Sequence, residues 1–207
     1  MSKNKSWLYR ISTASAFVSG LLFVIAIIDL IITTIRPGAI IGWLSPFQDN
    51  WLITIFKLHA GYNGVQIDLL QGLNFLDIAI LAIIGLVQLG LYAALRSTSK
   101  ICSIIALVQP FLGIAIFLAT KSAGRSSAMG AVLVISIIML SSGIFNKFLA
   151  YAGILASVLL LVGDFGASLA PSTIMAVLFG IGYILFIMWL FMIARKLFQL
   201  ESLESKS

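Results

Sequence analysis

Apolar residues run along this chain in long blocks, separated by polar connectors of only a few residues. Six blocks stand out, at about Ile11–Ile35, Phe75–Leu95, Ile101–Thr120, Ala128–Phe145, Phe148–Ala170 and Ser172–Ala194. Hydrocarbon about 30 Å thick takes about 20 residues of helix to cross, and each block meets or approaches that length. The pattern predicts six transmembrane helices. Arg96–Lys100, Lys121–Ser127 and Asn146–Lys147 form the tight connectors, and Pro37 stops the first helix. The first block follows Lys3, Lys5 and Arg10, as a signal peptide would. Its apolar length exceeds the 7–15 residues of a signal core and no A-x-A-like end follows, so it reads as a retained anchor. Pro110 falls near the middle of the third helix and predicts a kink there.

One stretch breaks the rhythm. Between the first two blocks, Arg36–Asn74 is long and mixed, and holds Trp43, Trp51, Pro37, Pro46 and the single histidine, His59. Asn50 is placed to cap a short helix to about Ala60, too short to span and therefore interfacial or re-entrant. Gly61-Tyr62-Asn63-Gly64 then reads as a turn. The expected architecture is all-α: one polytopic integral membrane bundle over residues 1–207, with this short helix between its first and second spans.

Composition narrows the class. Hydrophobic residues make up 61% of the chain and charged residues 10%, against about 25% charged in a soluble domain. The net charge of +6 sits at block ends and in connectors. It forms no basic face interleaved with aromatics, so nucleic acid is not an expected partner. With the N-terminus inside, the inner side carries Lys3, Lys5, Arg10, Arg96, Lys100, Lys147, Arg195, Lys196 and Lys206; the outer side carries Arg36, Lys57, Lys121 and Arg125. Nine against four puts both termini in the cytoplasm and the Arg36–Asn74 segment outside.

Ionisable groups within spans are costly and mark candidate chemistry. Asp29, Asp77 and Asp164 qualify, and in this orientation all three fall in the outer parts of their helices. An 11-residue step turns a helix by only about 20° from a whole number of turns. Gln66, Asp77 and Gln88 therefore share a face, flanked by Asn74. Ser157, Asp164 and Ser168, at steps of seven and four, likewise share a face, as do Asp29, Thr33 and Arg36, at steps of four and three. Such stripes predict a polar pocket opening outward, with Arg36, Lys57, His59, Lys121 and Arg125 as basic partners. The bland alternative is that each aspartate pairs with a cation or backbone group and only pins helix packing.

A lone His59 cannot build a two-histidine metal site, and no H-E-x-x-H or G-x-S-x-G is present. No metal, cofactor or catalytic constellation is expected. Cys102 has no intrachain partner and is expected to pack as a small apolar residue. Gly163, Gly166, Gly180 and Gly182 are expected to let helices approach closely.

Ser142-Gly143-Ile144-Phe145-Asn146-Lys147, Ala150-Tyr151-Ala152-Gly153-Ile154-Leu155-Ala156 and Trp189-Leu190-Phe191-Met192-Ile193-Ala194-Arg195-Lys196-Leu197-Phe198 resemble one end of a family of small prokaryotic membrane proteins catalogued as domain of unknown function 4386. The resemblance covers mainly residues 140–200, and the Arg36–Asn74 segment does not match. It implies six or seven spanning helices and a prokaryotic origin, and no activity.

The expected role is a non-catalytic subunit or scaffold in a membrane assembly, with the bilayer and other membrane chains (or copies of itself) as partners. The alternative is a small proton- or cation-coupled transporter using the aspartates. The orientation is tested with single cysteines at Ser2, Gln48 and Ser205 in a Cys102→Ser background. An impermeant thiol reagent added to intact cells should label only the Gln48 position; labelling at either terminus reverses the topology.

Overall fold

The computed structural model describes residues 4–35, 75–120, 124–169 and 173–204. These form six helices: α1 (Asn4–Ile35), α2 (Phe75–Leu95), α3 (Lys100–Thr120), α4 (Gly124–Ser141), α5 (Lys147–Leu169) and α6 (Thr173–Glu204), with no strand among the described residues. The short helix expected near Asn50–Ala60 and the turn after it lie outside the described residues. Two helical stretches, Ser6–Ile25 and Val177–Glu204, are long and apolar enough to cross a membrane, and four shorter apolar stretches accompany them.

Short connections make α2 to α6 run antiparallel in succession, and α1 is antiparallel to α2 because Ser12, in its first half, meets Gly90 in the last turns of α2. Each helix packs on the next in sequence, and α6 returns to pack on α1, so the six close into a ring. α2 also touches α4 across the interior. Arg96–Ser99 and Ser142–Asn146 lie at the end that carries the chain termini. There Ser12 of α1 meets Gly90 of α2, and Glu204 of α6 and Arg96 both act electrostatically on Tyr9.

Local chemistry sets the helix ends. α4 stops at Ser141, short of the expected Phe145, because Gly143 takes a φ of +61°. That left-handed conformation is the usual way to end a helix and costs a side-chain-bearing residue about 1–2 kcal/mol. The Ser142 N–H and hydroxyl both donate to the freed Met139 carbonyl, at 3.2 and 3.0 Å. Asn146 then caps α5, its Oδ1 accepting from the Leu149 N–H at 2.8 Å. α3 stays helical through Pro110.

Two expected ends move outward. α1 begins at Asn4, ahead of Ile11, and α6 runs past Ala194 to Glu204. The reason is packing: Leu197 is fully buried and Leu200 packs on the core, continuing the stripe of Leu190 and Ile193. The polar tail residues ride on a helix that the apolar stripe has already paid to order. α4 likewise starts at Gly124, so the expected Lys121–Ser127 connector is partly helix.

The α1–α6 seam is aromatic. Phe23 is packed edge-on against Tyr183 (centroids 5.1 Å apart, 86° between planes) and Phe186 (5.5 Å, 76°). Phe186 in turn stacks on Trp189 at 5.9 Å. Gly20 admits Phe191, whose ring would lie 2.9 Å from a β-carbon at that position. Such ring pairs add about 0.5–1.5 kcal/mol beyond burial. Phe23→Ala should therefore destabilise the fold by about 3–5 kcal/mol in thermal or denaturant unfolding, whereas Ile105→Ala, on an exposed face, should stay within about 0.5 kcal/mol.

Candidate functional site

Polar side chains share the interior with the apolar core. Ser12, Ser15, Ser19, Gln88, Ser103, Ser136 and Ser157 are all buried, while large apolar side chains such as Phe17, Leu86, Ile105, Ile137 and Val158 on the same helices are exposed. Ser12, Ser15 and Ser19 follow helical spacing along one face of α1, a stripe legible in the sequence once the face is sought.

Ser12 makes the most specific of these contacts. Its hydroxyl donates to the Leu86 carbonyl at 2.6 Å and accepts from the Gly90 N–H at 2.8 Å. Those two groups are the acceptor and donor of one i→i−4 rung of α2, so a side chain of α1 is wedged onto the backbone ladder of its neighbour. Only glycine permits it: a β-carbon at position 90 would lie 2.5 Å from Ser12 Cβ and 2.6 Å from its Oγ.

A second junction joins α4, α5 and α6. The Ser136 hydroxyl and the Trp189 indole nitrogen both press on Gly153, with Nε1 2.5 Å from where a β-carbon would stand. Neither atom has a hydrogen-bond partner. Ser157, one turn along α5, spends its hydroxyl on the Gly153 carbonyl at 2.7 Å. A third crossing puts the Gln109 amide of α3 against Gly130 of α4. Glycine and a polar side chain thus meet at each of three helix crossings.

Gly163 lies against Phe179, and Gly182 against Leu159 and the Leu160 backbone, so both serve close approach of α5 and α6 as expected. Gly180 has open space beside it and does not. Cys102 is exposed, a correction to its expected burial: it shares the outward side of α3 with Ile101 and Ile105, while Ser103 and Ala106 turn inward.

Of the expected polar pocket, Gln88 is the member whose side chain is described. It is fully buried, and neither its Oε1 nor its Nε2 has a hydrogen-bond partner. Asp29, Asp77 and Asp164 sit on α1, α2 and α5, with their side chains outside the description. Arg36, His59, Gln66 and Asn74 lie outside the described residues, as do Lys57 and Lys121. Ser157, the inward neighbour of Asp164 on the expected α5 stripe, is buried. Among the described residues no group of three or more His, Cys, Asp or Glu could hold a metal ion.

No family model, no curated protein and no solved structure matches the chain. The residues that the sequence pattern missed are the glycine partners: Gly90, Gly130 and Gly153 have small residues four positions away (Ala94, Ser126 and Ser157), but the neighbour that fills each notch comes from another helix.

The Ser12–Gly90 crossing yields a compensating pair. Gly90→Ala should lower the unfolding free energy by about 1–3 kcal/mol through overpacking. Ser12→Gly/Gly90→Ala, which moves the notch to the opposite helix, should recover most of that loss in the same thermal unfolding measurement.

Proposed function

We propose that this chain is a multi-pass protein of the cell membrane, all six helices spanning, with both termini on the cytoplasmic side. We further propose that it works as a non-catalytic subunit or scaffold of a membrane assembly. The observation that carries the membrane reading is the inversion of α3. Ile101, Ile105, Val108 and Leu112 point outward and are exposed, while Ser103, Ala106, Pro110 and Gly113 point inward and are buried. Water would reverse that arrangement, since large apolar faces are exposed on soluble domains only where something covers them. α5 follows suit, with Phe148, Tyr151, Leu155, Val158 and Val162 outward and Ala150, Gly153 and Ser157 inward. In lipid, helices gain little by hiding apolar groups from one another, so small residues and polar contacts hold them together instead.

That logic also supports the scaffold role. The polar groups at the Ser12–Gly90, Gln109–Gly130 and Ser136–Gly153–Trp189 crossings sit where helices touch, which is the position of packing devices and not of a solute path. The resemblance of residues 140–200 to the family of domain of unknown function 4386 accords with this reading and adds no activity to it. A second reading, a proton- or cation-coupled transporter, draws on Gln88: a buried amide with both ends unpartnered, on the same expected stripe as Asp77.

Two measurements divide them. Native mass spectrometry of the protein extracted in mild detergent should show further copies or other membrane chains retained with it. A pH jump across proteoliposomes should drive no proton or cation uptake, and Asp77→Asn/Asp164→Asn should remain as thermally stable as the wild type, since Asn keeps the size and much of the hydrogen bonding of a structural Asp. Uptake by the wild type that the double variant abolishes while staying folded overturns the scaffold reading in favour of the transporter.

A further inference from the structure

At the end of the bundle that carries the termini, three helices repeat one small arrangement. On α1, exposed Trp7 is followed three residues later by exposed Arg10. On α5, exposed Lys147 is followed four residues later by exposed Tyr151. On α6, exposed Arg195 is followed three residues later by exposed Phe198. Residues three or four apart on a helix are neighbours on one face. Each pair therefore sets a cation beside an aromatic ring at the helix surface. Arg96 and Lys100, both exposed, add charge in the α2–α3 connector. The described acids at this end, Glu201 and Glu204, are only half-exposed, and Glu204 lies within electrostatic reach of the buried Tyr9.

We infer that these cation–aromatic pairs form a docking girdle for the phosphates of anionic phospholipids. This rests on the membrane reading above and names the lipid class that the bundle selects. The chemistry fits both halves of each pair. An aromatic ring settles at headgroup depth, with its flat apolar body towards the acyl chains. A guanidinium or ammonium one turn away is then held at the level of the phosphate, where the negative surface potential attracts it. Zwitterionic headgroups carry the same phosphate beside a compensating ammonium, so selectivity must come from net charge. Each basic group near an anionic surface is worth about a fivefold preference, the equivalent of about 1 kcal/mol.

The test uses the full chain reconstituted in phosphatidylcholine bilayers, with spin-labelled phosphatidylglycerol or spin-labelled phosphatidylcholine as the probe. The motionally restricted fraction of each label reports contact with the protein surface. Phosphatidylglycerol should be preferred by on the order of fivefold at low salt. The preference should shrink as salt rises, because the screening length falls from about 10 Å at 0.1 M to about 3 Å at 1 M. Arg10→Gln/Lys147→Gln/Arg195→Gln should cut it by roughly half or more while leaving the restricted phosphatidylcholine fraction unchanged, the remainder resting on Arg96 and Lys100, and Arg10→Lys/Arg195→Lys should keep it.

Equal restriction of the two labels by the wild type overturns the girdle, as does a preference indifferent to salt or to the triple Gln variant. The salt series needs no variant, so a misfolded mutant cannot shelter the idea. If the membrane reading itself is wrong, the wild type restricts neither label and is recovered outside the vesicles, a result distinct from equal restriction of both.

Discussion

A ring of six helices stays closed only if its first and last members hold each other, and in this protein that contact is made by aromatic rings. Phe23 from α1 meets Tyr183 and Phe186 of α6 edge-on, and Phe186 carries the contact on to Trp189. Everything inward of the seam depends on it. Trp189 is held where its indole nitrogen reaches Gly153, which links the seam to α5 and, through Ser136, to α4. Gly20 and Phe191 extend the same seam towards the chain termini. Without α6 against α1, the Leu197 contact near the Ser12–Gly90 crossing would also be lost.

Three other crossings follow a different rule, in which a polar side chain fits the notch that a glycine leaves. The two devices divide the work by what each interface can offer. Aromatic rings give large contact areas where two long helices run side by side. A hydroxyl or amide opposite a glycine instead gives a short-range, directional contact where backbones cross closely. The Ser12 hydroxyl shows how far this goes, since it bonds both groups of one rung of the α2 backbone. In a lipid surrounding, such bonds contribute about 0.6 kcal/mol on average, so several are needed and geometry must be set by packing.

The same constraint shapes the surface. A bundle with many large apolar side chains on its outer face as well as in its core has little room for charge except at its ends, and described cations lie there, beside Trp7, Tyr151 and Phe198. The interior, meanwhile, holds polar atoms that lack partners, among them both ends of the Gln88 amide, Ser103 Oγ and Trp189 Nε1. In an apolar medium an unpaired amide is costly. Their presence marks the part of the molecule where hydration or a polar companion would relieve the most free energy.

The block pattern of the sequence determined the number and approximate limits of the described helices, because apolar runs this long exceed the length of a strand and are set apart by polar segments. It also located the α4–α5 turn at Asn146, although α4 ends before the expected Phe145, at Ser141 ahead of Gly143. Helix length and capping are local properties, so these features are readable along one strand of text. What only the tertiary structure decided is which side of each helix meets which neighbour. Cys102 lies outside and Ser103 inside, although the two are adjacent in the chain. Gly180 is open while Gly182 is tightly packed. α6 continues to Glu204 because Leu197 and Leu200 find a core to join. Gly90 and Gly153 matter because of Ser12, Ser136 and Trp189, residues on other helices whose approach is fixed by the closing of the ring.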